Sequence, residues 1–274
     1  MKNKTYCLAQ NPFFSFQGEG KYTGYPAVFV RWRGCNLSCD LGGKTEPQNI
    51  SSLEEFRAPE RGCDSGYAWQ KEYSHLAVYL TLEDLQKAIE DVIPFGVSKS
   101  QCLLIFTGGE PMLFQKEIVE LIEAERGEWK KFCFETNGTI EIKSDLHELI
   151  IDLEEHDEES IHFAISPKLA SVTNQSNGII YDALKSIIIN AEDFILKYVM
   201  DDEDKSWDEL NSIVNKLRSI ILDVDDYTWI MPLGSTKDQQ ASEQTRKIVL
   251  RALDLGYKIS MRAHVWIFGG EISR

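Results

Sequence analysis

The stretch Ala27-Val28-Phe29-Val30-Arg31-Trp32-Arg33-Gly34-Cys35-Asn36-Leu37-Ser38-Cys39 decides the fold. Residues 27–32 have the β-rich composition of a strand, whereas from Arg33 onward the period disappears and two thiols sit in a polar, glycine-containing loop. A strand that empties into a chemically loaded loop is the repeating unit of βα architectures, in which reactive groups gather at the carboxyl ends of strands.

The unit recurs down the chain. Strand-like runs lie at 102–106 (CLLIF), 131–135 (KFCFE) and 161–165 (IHFAI), followed by FILKYVM, YTWIM and YKISM. Helical periodicity occupies Leu82–Ile93, Lys116–Ala124, Trp207–Ile221 and Ser242–Leu255, with Thr81 as an N-cap and Gly256 as a stop. Each distinctive motif follows a strand: Thr107-Gly108-Gly109-Glu110-Pro111 the second, Glu135-Thr136-Asn137-Gly138 the third, and Ser166-Pro167-Lys168 the fourth. The alternation predicts an α/β chain with a parallel sheet, an open or partial barrel of about six repeats. A single domain over 1–274 is expected, interrupted by a long irregular region from about Asn36 to Ala77, with the insertion proper at about 40–77.

Composition narrows the function. A formal charge of −15 without any basic run argues against a nucleic-acid partner. The acidic runs Glu154 to Glu159 and Asp201 to Asp204 read as solvated loops. The chain lacks an apolar run long enough to span a membrane, and its start, MKNKTYCLAQNPFF, lacks a secretory signal, so a cytoplasmic location and no membrane partner are expected.

Six cysteines in a reducing compartment point to metal binding or core packing before disulfides. Cys7, Cys102 and Cys133 fall in apolar strand-like runs and behave as small hydrophobes. Cys35 and Cys39 share a loop, and where a third thiol would next fall stands Gly42, which leaves Cys63 as the remaining loop candidate. Three thiolates suit an iron–sulfur cluster with one open iron. A zinc site completed by His75 is the alternative.

GCNLSC after a first barrel strand, followed by TGGEP after the second, resembles the radical S-adenosylmethionine (SAM) superfamily. Upstream, Phe14-Ser15-Phe16-Gln17-Gly18-Glu19-Gly20 and Thr23-Gly24-Tyr25-Pro26-Ala27-Val28-Phe29-Val30-Arg31 resemble the 7-carboxy-7-deazaguanine synthase family more specifically. The later ETNG, SPK and LKYV motifs extend the likeness over nearly the whole chain. The resemblance implies a partial (β/α)6 TIM-like barrel with an expanded cluster-binding loop. It also implies conversion of 6-carboxytetrahydropterin to 7-carboxy-7-deazaguanine, a queuosine-type precursor, by radical ring contraction with loss of ammonia. Another radical SAM enzyme, such as a glycyl-radical activase, or an inactive cluster-binding homologue are the competing readings; FSFQGEG and PAVFVR speak against the activase.

By this resemblance Cys35, Cys39 and Cys63 hold a [4Fe-4S] cluster, and SAM is read by Gly108, Gly109, Glu110, Thr136, Asn137, Ser166 and Lys168. Glu110 would offer an anionic acceptor to the ammonium of SAM, and Thr136, Asn137 and Ser166 would bond its ribose. The substrate would meet Phe16, Gln17, Gly18, Glu19, Arg31, Thr107 and His264, with the Arg31 fork on its carboxylate. Magnesium would be bound through Ser65, where the family has threonine. The family's C-terminal Gln-Thr-His-Lys is here Arg262-Ala263-His264-Val265, which makes His264 a strand-end histidine. An electron donor such as flavodoxin and a homodimer are further implications.

Overall fold

The computed structural model describes residues 4–39, 47–59, 62–156, 159–269 and 271; Gly42 and Arg61 lie outside them. Among the described residues ten strands form one sheet: β1 (Tyr6–Leu8), β2 (Phe13–Phe16), β3 (Pro26–Trp32), β4 (Val78–Leu80), β5 (Leu103–Gly108), β6 (Lys131–Thr136), β7 (Ser160–Ile165), β8 (Asp193–Met200), β9 (Thr228–Pro232) and β10 (Lys258–Ile259). From β3 through β5, β6, β7, β8 and β9 to β10 every pairing is parallel and each strand adds on the same side of its predecessor. Such an order never reverses, so right-handed crossovers carry all their helices to one face. β1, β2 and β4 add antiparallel pairings at the β3 end.

Side-chain alternation assigns the two faces. Val28, Val30, Leu104, Phe106, Phe132, Phe134, Phe163, Leu196, Tyr198 and Ile230 join one large core with Leu85, Ile118, Leu149, Ile187 and Trp207 of the helices. Each such side chain contributes about 1.5–3 kcal/mol when fully buried. The intervening positions face the other way and change character along the strands: Ala27, Phe29, Leu103, Ile105 and Cys133 make a small apolar cluster near the strand starts. Arg31, Thr107, Glu135 and Lys197 follow toward the ends and line cavities. The apolar starts close one end of this inner face, and the polar ends make it a site.

The helices 82–92, 115–124, 204–217 and 243–254 match the sequence expectation, although the third ends before Ile221. Thr81 caps the first, its hydroxyl accepting the Asp84 N–H at 3.2 Å. Two further helices, 144–156 and 181–190, were not read from the sequence. The acidic runs are corrected accordingly, because Glu154 and Glu155 belong to the first of these and Asp204 opens the helix at 204–217. Asp157 and Glu158 lie outside the described residues. YKISM yields a two-residue strand only, and the chain then turns into a helix at Ala263–Phe268. His264 is therefore a helix residue, not a strand-end one.

Described residues between Ile50 and Tyr73 build a core of their own. Ile50, Phe56, Tyr67, Ala68 and Tyr73 are buried together with Ala9, and the Phe56 ring meets Tyr67 and Tyr73 edge-on at 5.1 and 5.6 Å. Arg33 fastens this mini-core to the end of β3 by donating to the Tyr67 and Gln70 carbonyls at 2.9 and 2.8 Å. Of the three cysteines assigned to packing, Cys102 and Cys133 are buried and Cys7 is half-buried. No described helix is long and apolar enough to cross a membrane.

Candidate functional site

The loop after β3 and the loop after β5 are interlocked, and glycine makes this possible. A Cβ on Gly108 would stand 2.1 Å from the Trp32 carbonyl oxygen, and one on Gly109 would stand 2.0 Å from that of Gly34. Neither position admits a side chain. The Gly109 and Glu110 N–H groups donate to the Trp32 and Gly34 carbonyls at 3.1 and 2.8 Å, which fixes Cys35 over the strand ends. The glycines thus secure close approach of the chain to itself beneath the thiol loop.

Glu110 is fully buried. It accepts from Thr136 Oγ1 at 2.7 Å, from the Asn137 N–H at 2.7 Å and from the Met112 N–H at 3.0 Å. It therefore ties the third strand end to the second from behind the cavity wall, and does not line the cavity. Asn137 in turn donates to Asn36 Oδ1 at 3.0 Å and accepts from Thr139, placing the ETNG turn against the thiol loop.

Two cavities open on the inner face. The first, about 220 Å³, is lined by Cys35, Cys39 and Cys63 and by Gly108, Gly109, Thr136, Asn137, Ser166 and Lys168. All three thiols are half-buried and none is in a disulfide. Burial, with smaller contributions from neighbouring Glu110 and Cys39 at Cys35 and from Asp64 and Cys39 at Cys63, pushes the Cys35 thiol up to about 11 and the Cys63 thiol up to about 12. Such thiols stay protonated unless a metal centre takes the proton's place. Among the described residues no group of three or more His, Cys, Asp or Glu could hold a single metal ion. His75 is occupied instead by the Glu72 and Ile50 carbonyls, so the zinc alternative lacks its fourth ligand. Three separated thiols around one cavity fit a multi-iron cluster better than one ion. Beside them Lys168 donates to Ser166 Oγ at 2.9 Å.

The second cavity, about 210 Å³, gathers Phe16, Gln17, Gly18, Glu19, Arg31, Thr107 and His264, the whole set expected to meet substrate. Arg31 and Thr107 are register partners on β3 and β5. The Arg31 guanidinium donates to Ser65 Oγ at 3.1 Å and lies 5.8 Å from the Tyr67 ring centroid. Its Nε is buried without a partner, and no carboxylate among the described residues forms an ion pair with it. An unpaired buried donor of this kind asks for an anionic ligand. Gln17 donates to Glu135 at 3.0 Å, and the His264 ring packs on the bare backbone of Gly18.

Between the cavities stands an ion network that the sequence reading did not assemble. Glu19 pairs with Lys197 and accepts from Arg262 Nε at 2.9 Å, while Arg262 also pairs with Asp64 and donates to the Gly234 carbonyl at 3.0 Å. Burial alone would raise the Glu19 carboxyl, but Lys197 and Arg262 overcome it and hold the group well below the carboxylate range. Burial lowers His264, only partly opposed by Glu19, so its imidazole is neutral near pH 7. Lys197 carried one legible signal, a lone cation inside the apolar run FILKYVM. Asp64 and Arg262 carried none, because their meeting depends on two distant loops.

The chain matches no family model. It is 26% identical over 266 residues to a 7-carboxy-7-deazaguanine synthase of Rhodopirellula baltica, covering 96% of this chain and 87% of that one. To the Halobacterium salinarum protein of the same name it is 27% identical, over 92% and 87% of the two chains. The chain is a homologue of the 7-carboxy-7-deazaguanine synthases. QueE from Escherichia coli shares the fold, with a TM-score of 0.58 at 20% identity over 95% of each chain. The motifs from which the resemblance was drawn are those that line the two cavities.

Proposed function

We propose that the chain is a radical SAM lyase that converts 6-carboxytetrahydropterin to 7-carboxy-7-deazaguanine. The observation that carries this reading is the pairing of cavities: one with three convergent thiols, the other with an arginine whose buried Nε is unpaired. Full-length homology to synthases of that name supports the same conclusion.

In this reading Cys35, Cys39 and Cys63 hold a [4Fe-4S] cluster, and Gly108, Gly109, Thr136, Asn137, Ser166 and Lys168 border the space for SAM. Bound there, cluster and SAM supply the one-electron chemistry that starts the rearrangement. Glu110 is a positioning residue, since it holds Thr136 and Asn137 rather than facing the cavity. Arg31 takes the substrate carboxylate in its fork, and Glu19, kept ionised, accepts from the amino and amide edge of the pterin. Phe16, Gln17, Gly18 and Thr107 shape the ring site, and neutral His264 closes it over Gly18. Tyr67 of the mini-core built by the inserted loop borders this ring site.

The strand order supports a partial barrel within a single domain, opened on its inner face to both cavities. A cytoplasmic setting, a homodimer and a donor such as flavodoxin are carried forward from the resemblance. Magnesium at Ser65 is not: its hydroxyl is already held between the Arg31 guanidinium and the Asp64 carboxylate at 3.1 and 3.2 Å, and no step is assigned to it. Anaerobic reconstitution followed by incubation with SAM, a reductant and 6-carboxytetrahydropterin tests the proposal. Formation of 7-carboxy-7-deazaguanine is expected; SAM cleavage with the pterin left intact would reject it.

A further inference from the structure

The wall between the two cavities is charged in an unusual way for a magnesium-assisted site. Counting the residues that line either cavity, the carboxylates are Glu19, Asp64, Glu135 and Glu271, and the permanent cations are Arg31, Lys168, Lys197 and Arg262. Among the described residues the two sets match in number, so these residues leave no surplus negative charge for a divalent ion. Magnesium binds hard oxygens, usually one or two carboxylates with water or substrate completing an octahedron. Here the carboxylate next to Ser65 is Asp64, and it is engaged by Arg262. Arg31 donates to Ser65 itself. An ion on the Ser65 hydroxyl would stand beside guanidinium groups and would have to displace both contacts.

Arg262 is built into this place. Its side chain is 11% exposed and spans Glu19, Asp64 and the Gly234 carbonyl. The next residue anchors it, because the Ala263 N–H donates to the Gly18 carbonyl at 2.9 Å. A guanidinium has more N–H groups than these three partners use, so donors remain for a ligand. It borders both cavities and shares the lining of the second with Arg31.

We propose that the Arg262 guanidinium supplies the positive charge that a divalent cation would bring to this wall, so that the carboxylated pterin binds without magnesium. The substrate identity rests on the function proposed above; the exclusion of metal does not.

Two measurements on the anaerobically reconstituted protein separate these. Manganese(II), a paramagnetic substitute for magnesium, is titrated and its free concentration followed by electron paramagnetic resonance. Wild type should bind none at the wall, Arg262→Gln should gain a site, and Arg262→Gln with Asp64→Asn should lose it again. Arg262→Lys keeps a cation and should still exclude the ion, which preserves the test where the glutamine variant fails to fold. Wild-type manganese binding that Ser65→Ala abolishes would overturn the proposal. In the second measurement, 6-carboxytetrahydropterin affinity should differ by less than about twofold between EDTA and magnesium in wild type. In Arg262→Gln it should fall by about tenfold in EDTA and recover with magnesium. A tenfold loss for wild type in EDTA would equally defeat it. Absence of pterin binding under every condition would count against the proposed substrate, while the manganese titration still decides the role of Arg262.

Discussion

The two cavities were assembled by opposite routes. Apart from Cys63 in the long loop, the thiols and glycines of the first cavity belong to short motifs that directly follow strands, and adjacent strands bring those motifs side by side. The wall between the cavities joins Glu19, Asp64, Lys197 and Arg262, which are scattered along the chain. The first kind of site depends on local chemistry and can be read where it stands. The second depends on the completed sheet closing its ends over one face, so each residue looks ordinary until its partner arrives.

The largest effect should separate the two cysteine classes. Cys63→Ala is expected to abolish the four-iron cluster and all product formation, while Cys102→Ala keeps both; iron content and the cluster's visible absorption report this. A normal cluster in Cys63→Ala would show that the long loop does not supply the third thiolate, and the motif-built cavity would lose its distinction.

Next comes the network. Glu19→Gln leaves Lys197 and Arg262 buried with one charge fewer between them, a change worth about 3–5 kcal/mol of stability. Because Glu19 is held below its ordinary 4.5, its contribution is complete above that pH and is lost as pH falls below it. The gap between wild type and Glu19→Gln in thermal unfolding should therefore narrow in acid. A gap independent of pH would mean that the ion pairs hold nothing together.

Arg31→Lys keeps the charge and loses the fork, so binding of 6-carboxytetrahydropterin should weaken by about 2–3 kcal/mol while cluster content survives. The comparison ligand is the same pterin without its carboxylate, whose binding should be little affected. Equal weakening of both would show that Arg31 supports the fold through Ser65 and Tyr67 rather than reading an anion.

The most local of these changes is at Gly109→Ala. Its Cβ would meet the Gly34 carbonyl oxygen at 2.0 Å, forcing the thiol loop away from the second strand end at a cost of about 1–3 kcal/mol. Slower or incomplete cluster assembly, with pterin affinity unchanged, would confirm that the glycines serve the thiol cavity alone. A loss confined to pterin binding would show the cavities to be one unit.

Strand runs with β-rich composition, helix caps such as Thr81 and the loop cysteines acted through neighbours in the chain, and these the sequence by itself determined. Alternation along parallel strands likewise sends Arg31, Thr107 and Glu135 to one face. The helices 144–156 and 181–190 were less legible, since their apolar stripes are interrupted and acquire meaning only against the sheet. Whether Glu110 faces a ligand or a strand end, how Ile50, Phe56, Tyr67 and Tyr73 pack, and which carboxylate Arg262 meets were decided by tertiary structure alone. Burial and ion pairing are set by what lies opposite a residue, and for these side chains the opposite group comes from far along the chain.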